Sequence, residues 1–165
     1  MNTDFFNSPG KGRLTLGNVI KEIAGFMGED GSAFYKLIIG SDSQEKRING
    51  IKMVGFVTAV VVHRLGKGGR YFWRKPKEKK VTSLRDKIYQ ETVYSLELAQ
   101  LLVPQLKDSL AGLAPYALEI HIDVGEVGPT RDMIKEVVGM VVGSGFTAKT
   151  KPEAYGAASV ADKHT

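Results

Sequence analysis

Four acidic positions in this 165-residue chain have settings suited to chemistry. Asp42, within Gly-Ser-Asp-Ser-Gln, follows the apolar run Tyr35–Gly40 and is expected at the C-terminal end of a strand. Asp123, within His-Ile-Asp-Val-Gly-Glu, stands at the same end of a second such run, Ala117–Val124. Ligands of open α/β sheets bind beyond the carboxyl ends of parallel strands, so the two carboxylates converge if these strands are parallel neighbours. Glu91 shares a helical face with Ser95, Leu98, Ala99 and Leu102, where a carboxylate is costly unless paired or metal-bound. Asp162 follows the small residues Ala157, Ala158 and Ala161. Taken singly, Glu91 and Asp162 read first as a helix cap or a surface charge, whereas Asp42 and Asp123 do not. Together they form a candidate cluster in which each pair repels by about 4 kcal/mol at 4 Å and an effective dielectric of 20. Oxygen-only ligands select a hard cation, Mg²⁺ or Mn²⁺. Two such ions about 3.5–4 Å apart activate a water and stabilise the leaving oxygen of a phosphodiester.

The elements that must position these residues follow from periodicity and turn chemistry. Residues 1–15, rich in Asn, Ser, Pro and Gly, read as an irregular lead-in to a helix over Leu16–Met27. A short strand at Tyr35–Gly40 precedes a long β-branched strand at Ile51–Arg64, and the glycines of 65–69 turn the chain into a returning strand at Arg70–Lys75. Ser83-x-x-Asp86 opens a long helix to about Val103, which Pro104 ends or kinks. The strand Ala117–Val124, a helix entered at Pro129, a short strand at Phe146–Lys149 and a terminal helix over Glu153–Lys163 complete the order. Three antiparallel strands followed by alternating helices and strands predict an α/β fold. Its mixed five-stranded sheet has three antiparallel strands, then two parallel ones, with helices on its faces. The size suits one domain over 1–165.

Charge is unevenly distributed. The formal net charge is +5, but residues 64–80 alone carry +7, leaving −2 for the rest. This basic strip comprises Arg64, Lys67, Arg70, Arg74, Lys75, Lys77, Lys79 and Lys80, with Tyr71, Phe72 and Trp73 interleaved. It suits a nucleic-acid backbone with aromatic stacking, although a solvated edge explains a charge run equally well. Lys151, just before the terminal helix, is a further candidate phosphate contact. His121 lies on the Asp123 face and is a candidate to tune a ligand, or a structural histidine. The chain has no cysteine, which excludes disulfides, thiol catalysis and cysteine-ligated metal. No apolar run reaches the length of a membrane span, and the N-terminus shows no signal-peptide core, so a cytoplasmic setting is expected. No Walker A motif is present.

Four segments carry a resemblance: LIIGSDSQ at 37–44, HIDVGE at 121–126, VVGMVVGSGF at 137–146 and KPEAYGAASVADKHT at 151–165. Together they resemble the ribonuclease H-like superfamily and, within it, the bacterial YkuK-type family. The resemblance covers about Leu16 to Thr165. It implies an Asp on the first strand, a Glu on the helix after the third, an Asp on the fourth strand and an Asp or His near the end. Carried across, these are Asp42, Glu91, Asp123 and Asp162, with Glu97 an alternative to Glu91 and His164 able to share the last role. The implied activity is metal-dependent hydrolysis of nucleic acid, RNA foremost. A non-catalytic nucleic-acid-binding or protein-interaction module on the same fold, or a phosphoesterase on a smaller substrate, are the alternatives.

Overall fold

The computed structural model describes residues 5–111, 116–151, 153–154 and 163–164. Within them the chain forms strands β1 (Phe5–Ser8) and β2 (Gly12–Thr15), then helix α1 (Leu16–Gly28). Strands β3 (Tyr35–Ile48), β4 (Ile51–Arg64) and β5 (Gly69–Arg74) follow. Helix α2 (Leu84–Leu110), strand β6 (Tyr116–His121), helix α3 (Ile134–Gly143) and strand β7 (Thr147–Lys149) come last. The sheet runs β2-β1-β5-β4-β3-β6-β7. Strands β3, β4 and β5 pair antiparallel, while β6 lies parallel to β3 and β7 parallel to β6. The sheet therefore has seven strands where five were expected. The expected five form its β5-β4-β3-β6-β7 portion.

The two additional strands correct the reading of residues 1–15 as irregular. The Asn, Ser, Pro and Gly of that stretch supply a turn, with Gly10 and Gly12 at positive φ. The flanking residues pair in register from Phe5–Thr15 to Ser8–Gly12. The hairpin joins the sheet through Asn7 beside Trp73, and the Ser8 hydroxyl donates to the Tyr71 carbonyl at 2.8 Å. Phe6 enters the main core, where only 1% of it stays exposed.

β3 also departs from expectation. It does not end at Asp42 but continues to Ile48, because Asn49 and Gly50, both at positive φ, make the two-residue turn into β4. What ends at this level is β6, whose last paired residue, His121, stands beside Gly40. Pro104 does not end the helix: α2 passes through it. Pro104 is exposed, so the carbonyl it leaves without an N–H can face water, while Leu102, Leu106 and Leu110 continue the buried face. The helix after Pro129 starts later than expected, with a 3-10 turn at Arg131–Met133 leading into α3. Of the expected terminal helix, residues 155–162 lie outside the described ones, and Asp162 with them. Among the described residues, no helix is long and apolar enough to cross a membrane.

The main core fills one face of the sheet, where Leu37, Ile39, Val60, Val62, Phe72 and Ile120 meet α1, α2 and α3. If the N-terminal hairpin is integral to this core, Phe6→Ala should destabilise the protein by about 3–5 kcal/mol in urea denaturation. A loss near zero would return residues 5–15 to a dispensable lead-in.

Candidate functional site

Asp42 and Asp123 each lie two residues beyond the last paired position of the parallel ladder, Gly40 beside His121. Neighbouring parallel strands thus deliver both carboxylates to one end of the sheet. Helix α2 supplies the third. Its capping residue Ser83 accepts a hydrogen bond from the Asp86 N–H, as the capping box predicts. From there the inner face is polar near the start (Glu91, Thr92, Ser95) and apolar afterwards (Leu98, Ala99, Leu102, Leu106).

The match between helix and strand is geometric. Ser41 Oγ lies 2.8 Å from Ser95 Oγ, and Ser43 Oγ donates to Glu91 Oε2 at 2.9 Å. Two residues of strand rise about 6.6 Å and four residues of helix about 6 Å, so Ser-x-Ser on β3 pairs with Glu-x-x-x-Ser on α2 running the other way. Ser41 also shares a hydrogen bond with Thr58 on β4 at 2.9 Å. These hydroxyls were not singled out as functional from sequence. The serines on either side of Asp42 were the available signal. A cavity of about 10 Å³ lies among Ser41, Glu91, Ser95 and Asp123, enough for about one water.

Glu91 is 5% exposed, whereas Glu97 lies on the exposed face of α2. Burial pushes the Glu91 carboxyl up to about 8, opposed by the Ser43 hydrogen bond and reinforced by the negative charges of Asp42 and Asp123, with Lys87 a weaker opposing influence. Lys151 Nζ lies 2.7 Å from Asp123 Oδ1. That hydrogen bond, with the attraction of Asp123, Asp42 and Glu91, holds the ammonium above the ordinary lysine pKa against a smaller burial effect. Lys151 was expected to face a phosphate; here its partner is a carboxylate.

Asp42, Glu91 and Asp123 therefore share one electrostatic environment, yet among the described residues no three His, Asp or Glu side chains are gathered into a set that holds a metal ion as it stands. The donor set nevertheless fits a hard cation. It consists of carboxylate oxygens, and one of them already accepts a positive charge at contact distance. His121 is buried, with Nε2 3.0 Å from Glu119 Oε1 and Nδ1 without a hydrogen-bond partner among the described residues. Glu119 is also bound by Lys36 at 3.3 Å. His164 stacks on the Trp73 ring at 3.6 Å and 7°. Trp73 in turn packs against Val57 and Ala59 of β4, and Val57 is the cross-strand partner of Asp42.

The basic strip is divided by the fold. Arg64 pairs across β4 with Tyr35, seven residues before Asp42 and so about 23 Å from it along β3. Its guanidinium bonds the Phe26 carbonyl, the Tyr35 hydroxyl and Glu29, and stacks over the Phe26 ring. Lys67 pairs with Asp30, and Arg70 also lies over Phe26. These three residues fasten α1 to the β4–β5 hairpin. Arg74 lies level with Ser41 across β4, its guanidinium over the Phe6 ring. Lys75, Lys77, Lys79 and Lys80 are exposed, and Lys79 bridges to Val54, which pairs with Glu45 just past Asp42. Only this second group shares the carboxylate end of the sheet.

The Glu91 environment has a pH signature. The native carboxyl titrates near 8 and the unfolded one near 4.5, so between these values the native state binds more protons and stability falls as pH rises. Stabilisation is complete below about 4.5 and lost above about 8. Urea unfolding in EDTA should show wild type losing up to about 4 kcal/mol more than Glu91→Gln between pH 5 and 8.5. Gln keeps an acceptor for Ser43 without the charge. Parallel pH profiles would place Glu91 in a solvated setting.

Comparison with known proteins bears on this arrangement. The chain is 34% identical to the Bacillus subtilis (strain 168) protein named Uncharacterized protein YkuK, over 172 residues that cover 97% of this chain and 96% of that one. No solved structure gives a match. A family model described as ribonuclease H-like matches residues 18–165, which include β3, α2, β6 and both ladder-end aspartates. With that match spanning most of the chain and a β5-β4-β3-β6-β7 sheet that is antiparallel at one side and parallel at the other, the chain belongs to the ribonuclease H-like family.

Proposed function

We propose that this protein is a divalent-metal-dependent nuclease that hydrolyses phosphodiester bonds in nucleic acid, RNA foremost. The observation that carries the reading is the meeting of Asp42, Glu91 and Asp123 at the end of the β3–β6 ladder, close enough for the two aspartates to raise the Glu91 pKa. Asp42 and Asp123 would hold Mg²⁺ or Mn²⁺, in two sites, with Glu91 joining once ionised and Asp162 completing the set. Bound metal supplies a water of lowered pKa and neutralises charge on the phosphate. The chain's own part is positional. Ser43 holds the Glu91 carboxyl and the Ser41–Thr58–Ser95 hydroxyls tie β3, β4 and α2 together beneath it. The exposed lysines 75, 77, 79 and 80 lie where a backbone leaving this site can pass.

A phosphoesterase acting on a smaller substrate is favoured by one feature, a groove of about 620 Å³ beside Asp123. Gly125, Glu126, Val127, Lys149 and Lys151 are among its lining residues. That volume suits a nucleotide-sized ligand.

Labelled RNA, RNA–DNA hybrid and single-stranded DNA, each with Mn²⁺ or EDTA, separate these readings when a small phosphodiester is included. The expected result is cleavage of RNA in Mn²⁺ only, reduced about 100-fold or more in Asp42→Asn and Asp123→Asn. Turnover of the small diester alone would favour the phosphoesterase, and intact substrates throughout would leave a binding module. For binding, replacing Lys75, Lys77, Lys79 and Lys80 with Ala should reduce the log–log salt slope by about 0.7–0.9 per lost phosphate contact. An unchanged slope would make these lysines a solvated edge. Replacing Lys67, which pairs with Asp30 at the far end, should leave the slope unaltered.

A further inference from the structure

We propose that Lys151 is a built-in counter-ion, its ammonium occupying the place beside Asp123 that a divalent cation takes, so that metal enters by displacing it. This rests on the reading above of the carboxylates as metal ligands, and it concerns how that site is regulated.

The contact takes up one approach to the Asp123 carboxylate. Lys151 Nζ sits 2.7 Å from Asp123 Oδ1, the range of a charge-assisted hydrogen bond. Mg²⁺ requires about 2.0–2.1 Å to each oxygen in near-octahedral geometry, so the ammonium and the ion cannot share that approach. The ammonium is monovalent and held by a flexible stem, whereas a divalent ion can engage more than one carboxylate. The stem can therefore leave without disturbing the backbone that positions it.

That backbone placement is specific. The Lys151 N–H donates to the Val124 carbonyl at 2.8 Å, fixing the residue beside the segment that carries Asp123. Gly125 leaves the space in which the stem lies, since a Cβ there would come within 3.2 Å of the Lys151 Cβ. Lys149, two residues earlier, provides a contrast of equal charge. Its ammonium pairs with Glu153 at 3.4 Å. A general loss of positive charge and a specific loss of the counter-ion are therefore separable by substitution.

The experiment is a titration of the full-length protein with Mn²⁺, following the free ion by its electron paramagnetic resonance signal. Wild type, Lys151→Met, Lys149→Met, Lys151→Arg and Asp123→Asn are compared. Lys151→Met should bind Mn²⁺ at least tenfold more tightly than wild type. Lys149→Met should stay within threefold, and Lys151→Arg should be no tighter than wild type. Melting curves in EDTA check folding, and Lys151→Gln carries the same expectation if the Met variant does not fold. Equal gains in Lys151→Met and Lys149→Met, or no gain in either, overturn the counter-ion while leaving the metal site standing, provided that wild type binds Mn²⁺ and Asp123→Asn does not. Absence of Mn²⁺ binding in every protein overturns the metal reading and the counter-ion together.

Discussion

Three carboxyl groups gathered at one end of a sheet repel one another, and the structure around them can be understood as a set of answers to that repulsion. Asp123 is met by an ammonium at contact distance. Glu91 is buried deeply enough that its proton is retained into the neutral range. Ser43 donates to the Glu91 carboxyl, and Ser41, Ser95 and Thr58 hydrogen-bond one another in the layer beneath. The proton on Glu91 and the charge on Lys151 act on the same cluster, so anything that brings a divalent charge to it makes both less necessary. Buried polar networks of this kind are costly when only partly satisfied. That cost is consistent with a site whose stability is subordinate to what it binds.

The architecture that imposes this repulsion is a mismatch in strand length. β3 and β4 run fourteen residues each, whereas β6 stops at His121 and β7 contributes three residues. Where β6 stops, β3 continues with β4 on one side and without β6 on the other, which opens a step in the sheet. Asp42 lies beside that step, Asp123 leaves the strand just beyond it, and the polar start of α2 covers it. A sheet with all strands ending together would place the same residues without the opening. The Asn49–Gly50 turn, which prolongs the β3–β4 hairpin, therefore matters for the site although neither residue is in it.

Much of this was legible in the sequence because the governing signals were local. The α1 and α2 periodicities, the Ser83 cap and the β-branched run of β4 each state their element directly. Glu91 was legible as an acid on an apolar face, and the parallel placement of Asp42 and Asp123 followed from the order of elements. The misreadings were of segments whose meaning depends on a distant partner. Residues 5–15 become strands only because Phe6 finds a place in a core built by α1 and β5, and turn residues between them obscured the pairing. Pro104 breaks a helix in isolation, but here the buried Leu102, Leu106 and Leu110 hold the last turns against the sheet. The Asn49–Gly50 hairpin was a local signal, and it carries β3 well past the end at Gly40 expected from the apolar run.

The basic strip shows why charge counted along a chain differs from charge displayed on a surface. Its eight cations are contiguous in sequence but ride on a hairpin and the loop after it, so the fold sends them to opposite ends of β4. The Arg64 guanidinium, in van der Waals and hydrogen-bond contact with Phe26, Tyr35 and Glu29, is a packing group whose removal would loosen α1 from the sheet. Among the described residues, the side chains of Lys75, Lys77, Lys79 and Lys80 show no such packing beyond the Lys79 contacts with Gln90 and Tyr94. They sit beyond the β4 side of the site, while Lys149 and Lys151 line the groove beyond β6 on its other side. That groove is also lined by Glu126 and Glu153, so the excess of positive charge beside the carboxylates lies on the β4 side. The acidic centre is therefore asymmetric: an anion approaching from the β4 side meets lysines before carboxylates, whereas on the β6 side lysines and glutamates alternate.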